Sequence, residues 1–293
     1  MRLDATINSM AGTLYLVATP IGNLEDITQR ALRVLKEVDL IACEDTRRTQ
    51  TLLNHFGIKT KMLSYHEHNE RARAEELGAL LQTGGCVAIV SDAGTPGISD
   101  PGFRLVNAAY ARGARVVPVP GAAAFVAALV VSGLPTDEFF FGGFLPARAT
   151  QRRARLSKVR SLDSTLVFYE APHRIAQTLA DAREILGERE AAVARELTKL
   201  HEEIARGRLS ELAERFSVEG AARGEMVLVI DRTLIGTETV YGNSEADIAA
   251  RVAALESDGL DGRAALKRAA RELGLSRPEA YRRLVAARGQ QKK

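Results

Sequence analysis

The chain has 293 residues, 46% hydrophobic and 26% charged, with two cysteines and a formal net charge of +3. That length suits one large domain or two moderate ones, able to bury a core without staples. Two cysteines with no CxxC neighbour exclude a disulfide scaffold and a zinc-thiolate site. No run approaches the ~18 apolar residues of a membrane span, and Met1–Met10 has no signal-like apolar core, so the expectation is a cytoplasmic protein without a membrane partner.

In chain order, the first half alternates strand and helix. Strands are expected over Thr13–Ala18, Asp39–Cys43, Cys86–Val90 and Arg115–Val119, where short apolar runs end in turn residues. Helical spacing of apolar residues marks Ile27–Val38, Asn69–Leu81, Pro101–Ala111 and Ala122–Val131. The alternation predicts a mostly parallel sheet with helices on both faces. The second half reads as another α/β domain, with strands over Glu138–Phe144, Thr165–Tyr169, Ala191–Ala194 and Met226–Ile230. Its helices are a basic stretch from Arg148, then Pro172–Leu186 and Leu209–Phe216. Turn-rich Thr233–Asn243 precedes three short helices within Ser244–Ala287, where Ser244 is a candidate cap and Gly274-Leu275-Ser276 separates the last two. The domains so drawn are 12–134, 135–232 and a helix-turn-helix-like 244–288.

Charge is uneven. Arg148–Arg160 carries six basic residues and no acidic one, and Arg263–Lys293 carries ten and two. Such clusters favour a polyanion. The candidate RNA contacts are Arg148, Arg152, Arg153, Arg155, Lys267, Arg268, Arg282 and Arg283.

The chain has neither a GxGxxG after its first strand nor a GxxxxGK[ST], which excludes a nicotinamide Rossmann enzyme and a P-loop NTPase. Three other loops follow strand ends, where α/β sheets bind ligands. They are Ala18–Leu24 with Pro20, Gly22 and Asn23; Ser91–Gly102 with three glycines and two prolines; and Pro118–Ala124, whose small residues suit a flat ring or thioether chain. Charged residues follow two strand ends of the second half: Glu170, His173 and Arg174, then Arg195, Glu196 and Lys199. Any of Glu170, His173 and Lys199 could take a proton, and Arg174 and Arg195 suit phosphate. His66-Glu67-His68 would place two histidines on one face of a strand, but no third ligand is evident, so no metal is expected.

The run Gly12–Leu24, ending Thr19-Pro20-Ile21-Gly22-Asn23-Leu24, and the run Ser91–Gly102 resemble the tetrapyrrole methylase superfamily. With Tyr169-Glu170-Ala171-Pro172-His173-Arg174-Ile175, Ala194-Arg195-Glu196-Leu197-Thr198-Lys199 and Gly224-Glu225-Met226, the chain more narrowly resembles the bacterial 16S rRNA cytidine-2'-O-methyltransferases, from about Gly12 to its C-terminus. Ala122 and Ala123 stand where that family more often has proline and serine. The resemblance implies two α/β domains with the cofactor in the cleft between them, plus a small C-terminal helical domain. It further implies a homodimer, and S-adenosylmethionine as donor to the ribose 2'-oxygen of a cytidine in the decoding region of 16S rRNA in the small ribosomal subunit. Mapped onto this chain, the cofactor residues would be Pro20, Gly22, Asn23, Asp92, Ala93, Gly94, Ile98, Ser99, Ala122, Ala123, Tyr169 and Met226. The catalytic ones would be Glu170, His173, Arg195 and Lys199. The basic clusters argue against a small tetrapyrrole or a protein as acceptor, and the candidate acid-base residues argue against a ligand-sensing nucleic-acid-binding regulator.

Overall fold

In the computed structural model, residues 11–218, 224–232, 245–257, 259–272 and 280–285 are described. The apolar runs of the first half become β1 (Thr13–Val17), β2 (Leu40–Cys43), β4 (Cys86–Val90) and β5 (Arg115–Val119), joined by a short edge strand β3 (Met62–Ser64). They form an all-parallel sheet in the order β3-β2-β4-β1-β5. The central strands are buried on both faces, which is why they read as continuous apolar runs rather than alternating ones. Ile41, Cys43, Ala88 and Val90 point to a core shared with α1 (Gln29–Glu37) and α2 (Thr46–His55). Ala42, Val87 and Ile89 point to the opposite core, shared with α3 (Glu70–Gln82) and α4 (Phe103–Ala111).

Local chemistry sets the helix starts. Thr28 caps α1 through Ala31 N–H, and Asp45 caps α2 through Arg47 N–H. Helix α4 begins at Phe103 rather than Pro101, because Gly102 precedes it at φ 154. Helix α2 and strand β3 were not expected from the sequence. His66-Glu67-His68 lies on no strand: β3 ends at Ser64, a turn follows, and Asn69 accepts the His66 N–H there.

The second sheet runs β6-β7-β10-β8-β9, from β6 (Phe139–Phe144), β7 (Thr165–Glu170), β8 (Glu190–Arg195), β9 (Glu203–Arg208) and β10 (Met226–Ile230). Only β6 and β7 are parallel, and the other three pairs are antiparallel. One face packs on α6 (Ala149–Val159), α7 (Ile175–Leu186) and α8 (Leu209–Ser217) through Leu166, Phe168, Leu228 and Ile230. The other face carries Val167, Ala192, Ala194, Val227 and Val229 against Ala128 and Leu129 of α5 (Ala124–Val131), and Ile21 joins the same cluster. Helix α5 is apolar all round and lies on the second sheet, although it follows the last strand of the first.

The C-terminal unit contains α9 (Glu245–Ser257), α10 (Gly262–Glu272) and helical residues 280–285. Ile248, Val252, Leu255, Ala265, Ala269, Ala280 and Leu284 form its core, and Asp261 caps α10 by accepting from Arg263 and Ala264 N–H. Ser244, Thr233–Asn243 and the turn Gly274-Leu275-Ser276 lie outside the described residues. So do the ends of the expected last helix, Arg277–Ala287. Of the basic residues proposed here for RNA, Lys267, Arg268 and Arg282 are exposed and Arg283 is half-buried.

Candidate functional site

Three loops leave the carboxyl ends of β1, β4 and β5 and are tied to one another. Thr19 and Gly94 exchange backbone hydrogen bonds of 2.8 and 3.0 Å. The Thr19 hydroxyl donates to Ser91 O, and the Thr95 hydroxyl donates to Ala122 O, both at 3.2 Å. The middle loop holds unusual backbone conformations at Gly94 (φ 81), Gly97 (φ 83) and Ser99 (φ 60). For a serine, that left-handed conformation costs on the order of 1–3 kcal/mol, and such strain concentrates at ligand sites.

The loops border a cavity of about 320 Å³. Its first wall is Ile21, Asp92, Ala93, Gly94, Thr95, Ile98, Ser99, Asp100 and Ala123; its second is Phe144, Tyr169, Glu170, Leu197, Glu225, Met226 and Val227. A second cavity of about 260 Å³ lies on the other side of the β1 loop, lined by Pro20, Gly22, Arg48, His55 and Asp92 among others. Of the residues expected at a cofactor, the main cavity therefore gathers Asp92, Ala93, Gly94, Ile98, Ser99, Ala123, Tyr169 and Met226. Pro20 and Gly22 face the smaller one. Ala122 contributes its carbonyl to the loop brace, and the Asn23 N–H donates to the Thr198 hydroxyl at 3.1 Å. Gly22 must be glycine: a Cβ there would stand 2.9 Å from Thr198 Oγ1 and 3.1 Å from Leu197 O.

The charged residues of the second wall are engaged with one another. Glu170 is 1% exposed. Its carboxylate accepts from Ala171 N–H at 2.8 Å and the Thr178 hydroxyl at 2.6 Å, and pairs with Arg174 at 2.6 Å. Three donors on one buried carboxylate make it a brace for the end of β7. Arg174, spent on this pair, is not a free phosphate ligand. Arg195 pairs with Glu203, which also takes Arg215.

Lys199 pairs with Glu196 at 2.9 Å and Glu225 at 3.4 Å. Partial burial alone would lower its ammonium, but the Glu196 hydrogen bond and the Glu225 charge outweigh that and hold it above the ordinary lysine value. A lysine so held carries its charge at neutral pH. Glu196 and Thr198 in the same loop have φ 51 and 66, so the loop is shaped as tightly as the glycine-rich one. His173 is exposed at the start of the segment leading into α7.

The basic stretch of α6 divides. Arg148 is exposed. Arg152 is buried and pairs with Asp181 at 2.6 Å, with side chains 3% and 1% exposed, so it is not available to a polyanion. A charge this deep is retained only when paired. Arg153 splits between Asp181 and Glu184, and Arg155 stacks over Phe140. The sequence reading passed over Asp100, Arg48 and Phe144, all of which line the main cavity. Asp100 stood inside the loop read for its glycines.

The comparisons agree with this architecture. The family model described as Tetrapyrrole (Corrin/Porphyrin) Methylases matches residues 13–213. A protein named "Ribosomal RNA small subunit methyltransferase I" from Halalkalibacterium halodurans is 54% identical over 220 residues, covering 75% of this chain and 76% of its own. One of the same name from Mesorhizobium japonicum is 45% identical over 273 residues, covering 93% and 91%. Among solved structures, the methyltransferase CobJ superposes with a TM-score of 0.58 at 20% identity, covering 78% of this chain and 97% of that one. Diphthine synthase gives 0.58 at 16% identity, covering 76% and 91%. This protein belongs to the tetrapyrrole methylases, in the group of the ribosomal RNA small subunit methyltransferases I.

Proposed function

We propose that the protein transfers a methyl group from S-adenosylmethionine to the ribose 2'-oxygen of a cytidine in the decoding region of 16S rRNA. The observation that carries this reading is the main cavity, at the carboxyl ends of the first sheet, in a chain whose relatives bear an rRNA methyltransferase name. The wall suits the donor. Ala93, Gly94, Ala123 and Ala124 keep it smooth for a ring and a thioether chain, while Asp92, Asp100 and Glu225 offer negative charge to a cationic ligand. A Cβ on Gly94 would meet Ile21 Cγ2 at 3.4 Å and Ala122 O at 3.7 Å, which are ordinary contacts, so it is the φ of 81 that holds this position to glycine. When bound, the donor supplies an electrophilic methyl on positively charged sulfur.

The chain's own part is to align the acceptor oxygen with that methyl and to exclude water, which can lower the barrier by several kcal/mol. Residues 12–134 hold the donor and 135–232 present the acceptor. Glu170, Arg195 and Lys199 fix the loops of the acceptor side, and exposed His173 meets the nucleotide. RNA is gathered by Arg148, by the exposed part of Arg153, and by Lys267 and its neighbours in 244–288. The protein acts in the cytoplasm as a homodimer: Val126, Val130 and Val131 of α5 and Phe139 on the β6 edge are exposed together, and a second copy would cover them.

Tritium transfer from labelled donor to under-methylated small subunits, naked rRNA and porphyrin precursors tests this reading. Label should enter small-subunit RNA, and ribose-methylation mapping should place it on a cytidine 2'-oxygen. Label in porphyrin alone would refute it.

A further inference from the structure

Strand β6 reads FFFGGF, and its last phenylalanine is out of step with the others. By strict alternation Phe144 would share a face with Phe140, which packs on the core of α7 and α8. The register shows why it does not. Phe141 pairs with Val167 and Phe144 with Tyr169, so β6 takes three steps where β7 takes two. The extra residue is a β-bulge, with Gly143 at φ 64, and it turns Phe144 onto the face of Phe141 and Tyr169. A Cβ at Gly142 would run into the Phe168 ring, and one at Gly143 would stand 3.0 Å from Ser99 Oγ, so the bulge needs both glycines and abuts the glycine-rich loop. The Phe144 ring lies 5.3 Å from that of Tyr169, which lies 5.1 Å from that of Phe141. Leu145 beside it is buried, and buried Arg152 donates to Ala147 O at 3.1 Å. The ring is therefore held in place, yet it is 59% exposed, on the second wall of the main cavity.

A single exposed apolar side chain calls for no ligand. A bulge and two glycines that aim one at the mouth of a cavity do. We propose that Phe144 is the stacking platform for the base of the acceptor nucleotide, drawn out of the RNA stack. This rests on the cavity being the donor site of an RNA methyltransferase, as read above. Unstacked RNA bases are recognised by laying them on aromatic rings, whose faces suit any base. Enzymes whose chemistry lies in a pocket extrude the nucleotide and stack its base on side chains there. Two observations choose this base over the donor's own ring. The small-residue wall that suits the donor, Ala93, Gly94 and Ala123, is the other one. And Phe144 leads within four residues, at most about 14 Å of chain, to exposed Arg148, which opens a stretch to Arg160 without an acidic residue. A ring followed by a cation fits a base followed by its phosphate. With the base held on Phe144, the glycosidic bond fixes the ribose and so the direction of its 2'-oxygen.

The test uses the full-length protein, with single-turnover methyl transfer to small subunits reconstituted from under-methylated rRNA. Phe144→Ala should lower the rate at limiting RNA roughly 5–150-fold, the worth of one base–aromatic stack. Calorimetric affinity for S-adenosylhomocysteine should stay within about threefold, because the lost contact is with RNA. Phe144→Tyr should keep most of the rate and Phe144→Leu should not, since leucine is apolar but has no π-face. On RNA whose mapped acceptor nucleotide lacks its base and keeps its ribose, wild type and Phe144→Ala should react alike, within about twofold. The tyrosine and leucine variants decide the matter if Phe144→Ala does not fold.

Donor affinity that falls in step with the rate would set the ring against the donor and overturn the proposal. So would a Phe144→Leu protein that matches wild type, a Phe144→Ala protein that sediments as a smaller species than wild type, or an undiminished gap between the two proteins on the base-less RNA. If the wild type itself methylates no RNA, the functional reading fails and this inference falls with it; if the wild type methylates RNA and Phe144→Ala keeps its rate, this inference fails alone.

Discussion

The two walls of the main cavity are built by different physics. The first is backbone: glycines and a serine at positive φ, small side chains, and hydrogen bonds between loops. The second is charge held against charge, in Glu170 with Arg174, Arg195 with Glu203, and Lys199 between Glu196 and Glu225. On the second wall the ionisable groups are many and committed, whereas on the first Asp100 makes no ion pair among the described residues.

The comparison can be broken most forcefully on the second half, at its buried pair. Arg152→Met should cost about 3–5 kcal/mol, because Asp181 stays buried with only half-exposed Arg153 to balance it. Urea unfolding measures this, and the salt slope of RNA binding by the folded protein should not change. A slope lowered by about one at unchanged stability would return Arg152 to the RNA surface. On the first wall, Gly94→Val should weaken S-adenosylhomocysteine at least about 100-fold, roughly 2.7 kcal/mol, because φ 81 strains any side chain there. Calorimetry on a variant with an unchanged melting curve checks it.

The unbalanced carboxylate gives a smaller effect of definite sign. Folding raises the Asp100 value from 3.8 to about 6, so the folded state holds the proton better. Stability from this group is greatest below pH 3.8 and is lost as pH rises through 6. Asp100→Asn should therefore stabilise the protein by about 1 kcal/mol at pH 8, after allowance for solvent screening, and by almost nothing at pH 4. Equal melting shifts at both pH values would contradict that. The smallest effect belongs to Lys199→Met, at most about 1 kcal/mol, because the pair is partly exposed. Its folded value is raised, so the wild-type advantage is present below the ordinary lysine range and disappears as pH climbs through the folded value. Denaturant midpoints at neutral and strongly alkaline pH measure it.

The strands β2, β4, β7 and β10 were legible because burial on both faces writes itself as an uninterrupted apolar run, and β1 and β5, less buried, because their apolar runs end in turn residues. Helix α2 was not: it buries little beyond Thr49 and Leu53, and the rest of TRRTQTLLNH is polar. Edge strand β9 was hidden by its own alternation, EIARGR, with one fully buried residue. The glycine-rich loop was legible as a ligand loop since its chemistry is local. Arg152 was misread because its partner, Asp181, comes from α7, and a sequence displays charges without their counter-charges. Asp100 was overlooked for the converse reason: what marks it is that it makes no ion pair among the described residues.

The hydrogen bond from Asn23 to Thr198 joins residues 175 positions apart. Its consequence is one of timing. At about 5–20 residues per second, Asn23 is synthesised roughly 10–35 s before the threonine that receives it. Throughout that interval the β1 loop lacks the backbone of Leu197 and the side chains of Thr198 and Lys199, against which Gly22 packs. A nascent chain can complete its parallel sheet and still have only half a pocket, so the ability to bind a donor arrives near the end of translation of the body.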